Sequence, residues 1–162
     1  TRPMGRNASG VRGITLSNND DEVIGMISVN DMKNNILVVS ENGFGKRSSL
    51  EDYRVTNRGG KGVKTISITE KTGDLVSIKN VCDEDDLMII NKSGIAIRMA
   101  VEDLRVMGRA TQGVKLINLK PSDSIAAVAK VMKEEEEEAS ELNSETISQV
   151  NEISGDELQN EN

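Results

Sequence analysis

Arg58-Gly59-Gly60-Lys61-Gly62-Val63-Lys64-Thr65-Ile66 decides the fold, because its pattern occurs three times. Arg-x-x-x-Gly-Val-(Arg/Lys)-x-Ile also runs through Arg6, Gly10, Val11, Arg12 and Ile14, and through Arg109, Gly113, Val114, Lys115 and Ile117, at spacings of 52 and 51 residues. A period of that size marks a repeat architecture, in which each unit is one supersecondary block that buries its apolar face against its neighbours.

Other blocks keep the same phase. Ile36-Leu37-Val38-Val39-Ser40-Glu41-Asn42-Gly43 matches Leu87-Met88-Ile89-Ile90-Asn91-Lys92-Ser93-Gly94, and the same offset carries Arg47 onto Arg98, Leu50 onto Val101 and Glu51–Val55 onto Glu102–Val106. Glu22–Met26 stands beside Asp74–Ile78, and more loosely beside Asp123–Ala127. The pattern predicts short strands. Residues 63–69 alternate, 75–81 form a second run, 87–90 a continuous apolar third and 95–99 an alternating fourth. Asn42-Gly43 and Ser93-Gly94 are hairpin dipeptides, since glycine accepts the positive φ of such turns. Four strands in a period near fifty is the size of a propeller blade. The expected fold is therefore all-β, with two and a half to three blades in a body spanning 1–133, in units of about 6–57, 58–108 and 109–132. Arg2–Arg6 falls where Arg54–Arg58 and Arg105–Arg109 fall, so the sequence opens at a junction between units. The third unit has only its first two strands, which leaves open edges to be expected.

Composition narrows the chemistry. The 162 residues include no His and no Trp. Serine triads, His-paired cysteine nucleophiles and His-containing zinc sites are excluded on inventory alone. The single cysteine, Cys82, cannot form an internal disulfide. There is neither an 18-residue apolar run nor a basic-then-apolar leader, so no membrane span or signal peptide is expected. The net charge of −7 conceals a division: residues 134–162 carry −11 and the body +4. The tail opens with Glu134, Glu135, Glu136, Glu137 and Glu138 and has too little apolar mass to bury, which predicts disorder. It either solubilises the chain or mimics nucleic acid and competes for a basic surface on the body.

That surface is suggested by the repeated cations. Packing does not require Arg6, Arg12, Arg47, Arg58, Lys64, Arg98, Arg109 and Lys115 at matching places, and Lys46 and Lys61 add to them. In a radial array one cation per blade lines the rim. A basic stripe with only Tyr53 and Phe44 as aromatics suits duplex DNA held through its phosphates, whereas single strands need stacking platforms. Solvated cations paired with Glu51, Asp52, Glu102 and Asp103 would give the same spacing. Arg58–Gly62 offers glycine-rich backbone to a phosphate but is no Walker loop. Asp83-Glu84-Asp85-Asp86 lacks the order of a calcium loop and is expected to be a solvated turn beside an unreactive Cys82.

Tyr53–Lys64, the hairpin Glu41-Asn42-Gly43-Phe44-Gly45-Lys46-Arg47 and Gly108–Val114 closely resemble the C-terminal domain of the bacterial DNA gyrase A subunit. The resemblance covers residues 1 to about 132. It implies a β-pinwheel: a propeller-like disc, partial here, of blades of four antiparallel strands exchanged between neighbours, whose basic rim wraps DNA. For the whole enzyme it implies an ATP-hydrolysing type IIA DNA topoisomerase that introduces negative supercoils. It implies no catalytic residue, metal or cofactor in this segment, ATP and Mg being bound elsewhere. The implied partners are double-stranded DNA, the remainder of the gyrase A subunit and the gyrase B subunit, with no membrane and a cytoplasmic, nucleoid-associated location. These residues resemble the last blades of the disc, and the tail resembles the acidic end of many such proteins, where it modulates wrapping. The family's box, Gln-Arg-Arg-Gly-Gly-Lys-Gly, is matched only from Arg58 onward. Tyr53 corresponds to Leu104 in the next unit, which indicates packing and not catalysis. The alternatives are the C-terminal domain of the topoisomerase IV A subunit and a propeller-like protein-interaction scaffold with incidental basic residues.

Overall fold

The computed structural model describes residues 2–132; the tail, with Glu134–Glu138, lies outside the described residues. Among the described residues seven strands form two antiparallel sheets: β1 (Asn35–Ser40), β2 (Phe44–Ser49), β3 (Leu75–Val81), β4 (Asp85–Asn91), β5 (Ala96–Ala100), β6 (Val114–Lys115) and β7 (Ile125–Met132). The order is β3-β1-β2-β6 in the first sheet and β5-β4-β7 in the second. Among the described residues the only helical element is a single 3-10 turn, Leu50–Asp52, capped by Ser49.

β1 is a continuous apolar run because both of its faces are covered. Leu37 and Val39 point into a core shared with Leu87, Ile89 and Val128 of the second sheet and with Val101 just after β5. Ile36 and Val38, on the opposite face of the pleat, pack on Ile66, Ile27 and Tyr53. Each such side chain contributes about 1.5–3 kcal/mol through burial. Both expected hairpins form: Gly43 and Gly94 turn at φ 79° and 86°, and their amides close onto Ser40 and Asn91 carbonyls at 3.1 Å.

Strand pairing crosses the repeat boundaries. β3 comes from the second unit yet pairs with β1 of the first, and β7 of the third pairs with β4 of the second. The register is the same in both: Asn35 faces Val81 as Asp86 faces Val131, and each ladder is interrupted at equivalent places, Val39/Ser40 and Ile90/Asn91. β6, from the third unit, reaches back to β2 of the first, with Phe44 opposite Lys115. The strands of one unit are thus dealt out to different sheets, and each unit is tied to its neighbours by backbone hydrogen bonds.

The alternating run 63–69 is the exception, because it forms no strand. Its counterpart in the third unit is a strand only where Val114 and Lys115 meet β2. No equivalent edge faces Val63 and Lys64 among the described residues, so the segment stays extended and is held by isolated bonds, such as the Ser67 amide to the Thr111 carbonyl at 3.2 Å.

Candidate nucleic-acid interface

The boxes at 58–62 and 109–113 each pack on the segment that follows the box before them. The Gly59 amide donates to the Gly13 carbonyl at 2.9 Å, and the Thr15 amide to the Gly60 carbonyl at 2.9 Å. The Thr15 hydroxyl adds a bond to the Gly59 carbonyl at 2.6 Å. One unit later, Arg109 Nη1 donates to the Lys64 carbonyl at 2.7 Å and the Ser67 hydroxyl to that of Ala110 at 3.2 Å. These bonds set Arg12 beside the box carrying Arg58 and Lys61, and Lys64 beside the box carrying Arg109. Segments about fifty residues apart in sequence that carry these cations thereby become neighbours.

Arg6, Arg12, Arg58, Lys61, Lys64 and Lys115 are exposed, and Arg109 is half-buried. Among the described residues none of the seven has a carboxylate within salt-bridge distance. Neutralisation by nearby acids therefore does not account for them. Like charges carried on adjoining segments without counter-charge favour a polyanion that neutralises several at once.

Three expected members of the stripe are placed differently. Lys46 and Arg47, expected among the rim cations, are 1% and 5% exposed. β2 is an inner strand of its sheet, and its polar side chains are covered by 101–111. Lys46 Nζ donates to the carbonyls of Gly108, at 2.7 Å, and Arg109, and reaches Thr111 Oγ1 at 3.5 Å. Burial pulls its pKa below the ordinary lysine value; nearby Asp52 opposes this and Arg109 adds to it. The Arg47 guanidinium donates to the Val101 and Leu104 carbonyls at 3.2 and 3.5 Å and pairs with Asp83 at 2.5 Å. With its amide oxygen turned to the guanidinium, Asn35 accepts from Nε and Nη2 at 3.1 and 2.8 Å. Arg98 is half-buried, and its Nε meets Asp86 at 2.7 Å. Lys46 and Arg47 are internal clamps, and their burial removes them from any rim.

The run Asp83–Asp86 is a solvated turn only in its first half. Asp83 and Glu84 are exposed, but Asp85 and Asp86 are buried and begin β4. Asp85 pairs with Lys130 at 3.2 Å, across the β4–β7 ladder. It also accepts from the Cys82 amide and thiol, at 2.8 and 3.2 Å. Burial, together with hydrogen bonds to Asp85 and Glu84, pushes the thiol pKa up to about 11. Tyr53 packs against the Ile36 cluster and hydrogen-bonds Thr65 through its hydroxyl. Phe44 is buried, with the Lys71 ammonium 5.3 Å from its ring centroid. Phe44 offers no bare face. Lys71 has no cation at the matching place in the first unit, so the repeat carries no signal for it.

A family described as "DNA gyrase C-terminal domain, beta-propeller" matches residues 2–30, 34–82 and 85–132. The DNA gyrase A subunit of Staphylococcus aureus strain NCTC 8325 / PS 47 is 48% identical over 141 residues, 86% of this chain. Its equivalent in strain MRSA252 is 48% identical over 149 residues, 91% of this chain. The chain spans only 16% and 17% of the length of these relatives. Among solved structures, a DNA gyrase A C-terminal domain superposes with a TM-score of 0.57 at 27% identity, covering 60% of this chain and 33% of its own. The C-terminal domain of a DNA topoisomerase IV shares the fold, with a TM-score of 0.71 at 18% identity over 76% of this chain and 38% of its own.

Proposed function

The chain belongs to the DNA gyrase C-terminal domain family, and from that premise we propose that its body binds and wraps duplex DNA along the row of box cations, supporting ATP-dependent negative supercoiling by a whole gyrase. One observation carries the reading: exposed Arg and Lys residues of successive units are drawn together by box-to-segment hydrogen bonds, with no carboxylate partner among the described residues. Cations so arranged grip phosphates, fix the register of a bent duplex and carry little sequence information. Strand cleavage and ATP hydrolysis with Mg belong, in this reading, to the remainder of the gyrase A subunit and to the gyrase B subunit, its partners in a cytoplasmic, nucleoid-associated complex. The acidic tail from Glu134 competes with DNA for the row.

The test is duplex binding across a salt series, with a duplex longer than one helical turn. The expected log–log slope is about −0.9 per phosphate neutralised, with tighter binding once residues 134–162 are removed. No binding at low salt would overturn the wrapping reading and favour a protein-interaction scaffold. Unchanged affinity on tail removal would overturn the competition alone. Supercoiling by the whole enzyme separates this reading from that of a topoisomerase IV, which relaxes and decatenates.

A further inference from the structure

We propose that the cleft walled by Lys71, Lys115 and Lys120 seats a backbone phosphate of the bound duplex, extending the basic row beyond the boxes. The proposal rests on the duplex-binding reading and deepens it. The cleft, of about 400 Å³, opens between the turns of the second and third units above the β1–β2 hairpin. Its three lysines are exposed, and among the described residues none has a carboxylate within salt-bridge distance. Asp123 also lines the cleft, but its carboxylate is engaged by the Asn91–Gly94 turn. It accepts from Asn91 Nδ2 at 2.6 Å, from Ser93 Oγ at 2.9 Å, and from the Ser93 and Ser124 amides at 3.3 and 2.9 Å. Phe44 floors the cleft but is buried, with Lys71 over its ring. A base finds no open aromatic face there. Recognition is therefore by charge, which selects a phosphate.

A second observation gives the site a direction. One unit earlier, the corresponding turn opens a cleft lined by Asp20, Asp21, Glu22 and Asp74. Repetition alone would make the two clefts alike, yet one is acidic and the other basic. A polyanion following the row is repelled at the turns of the first and second units and held at those of the second and third.

The test uses the full chain and the salt series above. Lys71→Gln/Lys120→Gln is expected to lower affinity and reduce the magnitude of the log–log slope by about 0.9, the value for one phosphate. Lys71→Arg/Lys120→Arg, which keeps the charge, is expected to retain the slope. An unchanged slope in the Gln variant, while the unaltered chain binds normally, would overturn the cleft and leave the row standing. An equal loss in the Arg variant would mark the lysines as structural and overturn the cleft too. Asp20→Lys/Glu22→Lys is expected to tighten binding; unchanged affinity would overturn the directional part. Absence of binding by the unaltered chain would overturn the parent reading and this one with it.

Discussion

The Lys46 ammonium group donates to the Gly108 carbonyl at 2.7 Å, joining residues 62 apart in sequence. The same nitrogen bonds the Arg109 carbonyl, so one buried cation clamps the turn from which a box arginine projects. Lys46 thus holds the 108–111 turn from inside the fold, without lying on the surface.

Lys46→Met keeps the aliphatic stem and removes the donor, taking that partner from the Arg109 carbonyl and leaving the Gly108 carbonyl to Thr111. The expected cost is about 1–3 kcal/mol in denaturant unfolding, with weaker duplex binding as the 108–111 turn loosens.

Charge reversal at Arg47 is expected to abolish the fold. Arg47→Glu would aim a buried carboxylate at the Val101 and Leu104 carbonyls and at Asp83. An unpaired buried charge costs at least about 3–5 kcal/mol, a large part of a domain's stability. Loss of the β circular-dichroism signal is the expected result; a folded variant with weakened DNA binding would place Arg47 at the interface instead.

Arg12→Gln/Arg58→Gln removes exposed charge and no packing. Unfolding should shift by less than about 0.5 kcal/mol. The salt dependence of duplex binding should weaken by about 0.9 in slope for each phosphate that is no longer neutralised.

Cys82 should alkylate slowly. With its pKa raised from 9.0 to about 11, the thiol stays protonated through neutral pH, and its thiolate fraction is about a hundredfold below that of an unperturbed cysteine. The alkylation rate should climb steadily from neutral pH without levelling before about pH 11. A plateau near pH 9 would show that the burial and the hydrogen bonds to Asp85 and Glu84 do not act as described.

Gly10 and Gly113 hold equivalent places and the same left-handed backbone, at φ 81° and 84°. A Cβ on Gly10 would meet nothing within 4 Å, whereas one on Gly113 would lie 2.5 Å from the Gly45 carbonyl oxygen. Gly10→Ala should cost about 1–2 kcal/mol of backbone strain. Gly113→Ala should exceed it by about 1–3 kcal/mol from overpacking, read from the two unfolding midpoints.

The runs that became strands were legible because their signals are local. β3, β4 and β5 lie within a residue or two of the apolar runs at 75–81, 87–90 and 95–99, and both hairpin dipeptides turn. Residues 63–69 carry as clear an alternation and form no strand, since a strand also needs an edge to pair with. The exposure of Arg6, Arg12, Arg58, Lys61, Lys64 and Lys115 could be read. The burial of Lys46 and Arg47 could not, because an Arg or Lys in a strand is ordinarily at the surface.

Period, phase and the local conformation of each unit are written in the sequence: three box glycines share φ values of 81°, 80° and 84° because three similar local sequences meet the same steric limits. Which strand each unit lends to its neighbour, and which of two equivalent residues is covered, is settled only when the units pack. Lys46 lies under the 108–111 turn, while Ile97, its counterpart one unit later, is 40% exposed. Burial is conferred by a partner far along the chain, and a repeat specifies its own backbone without specifying what will pack against it.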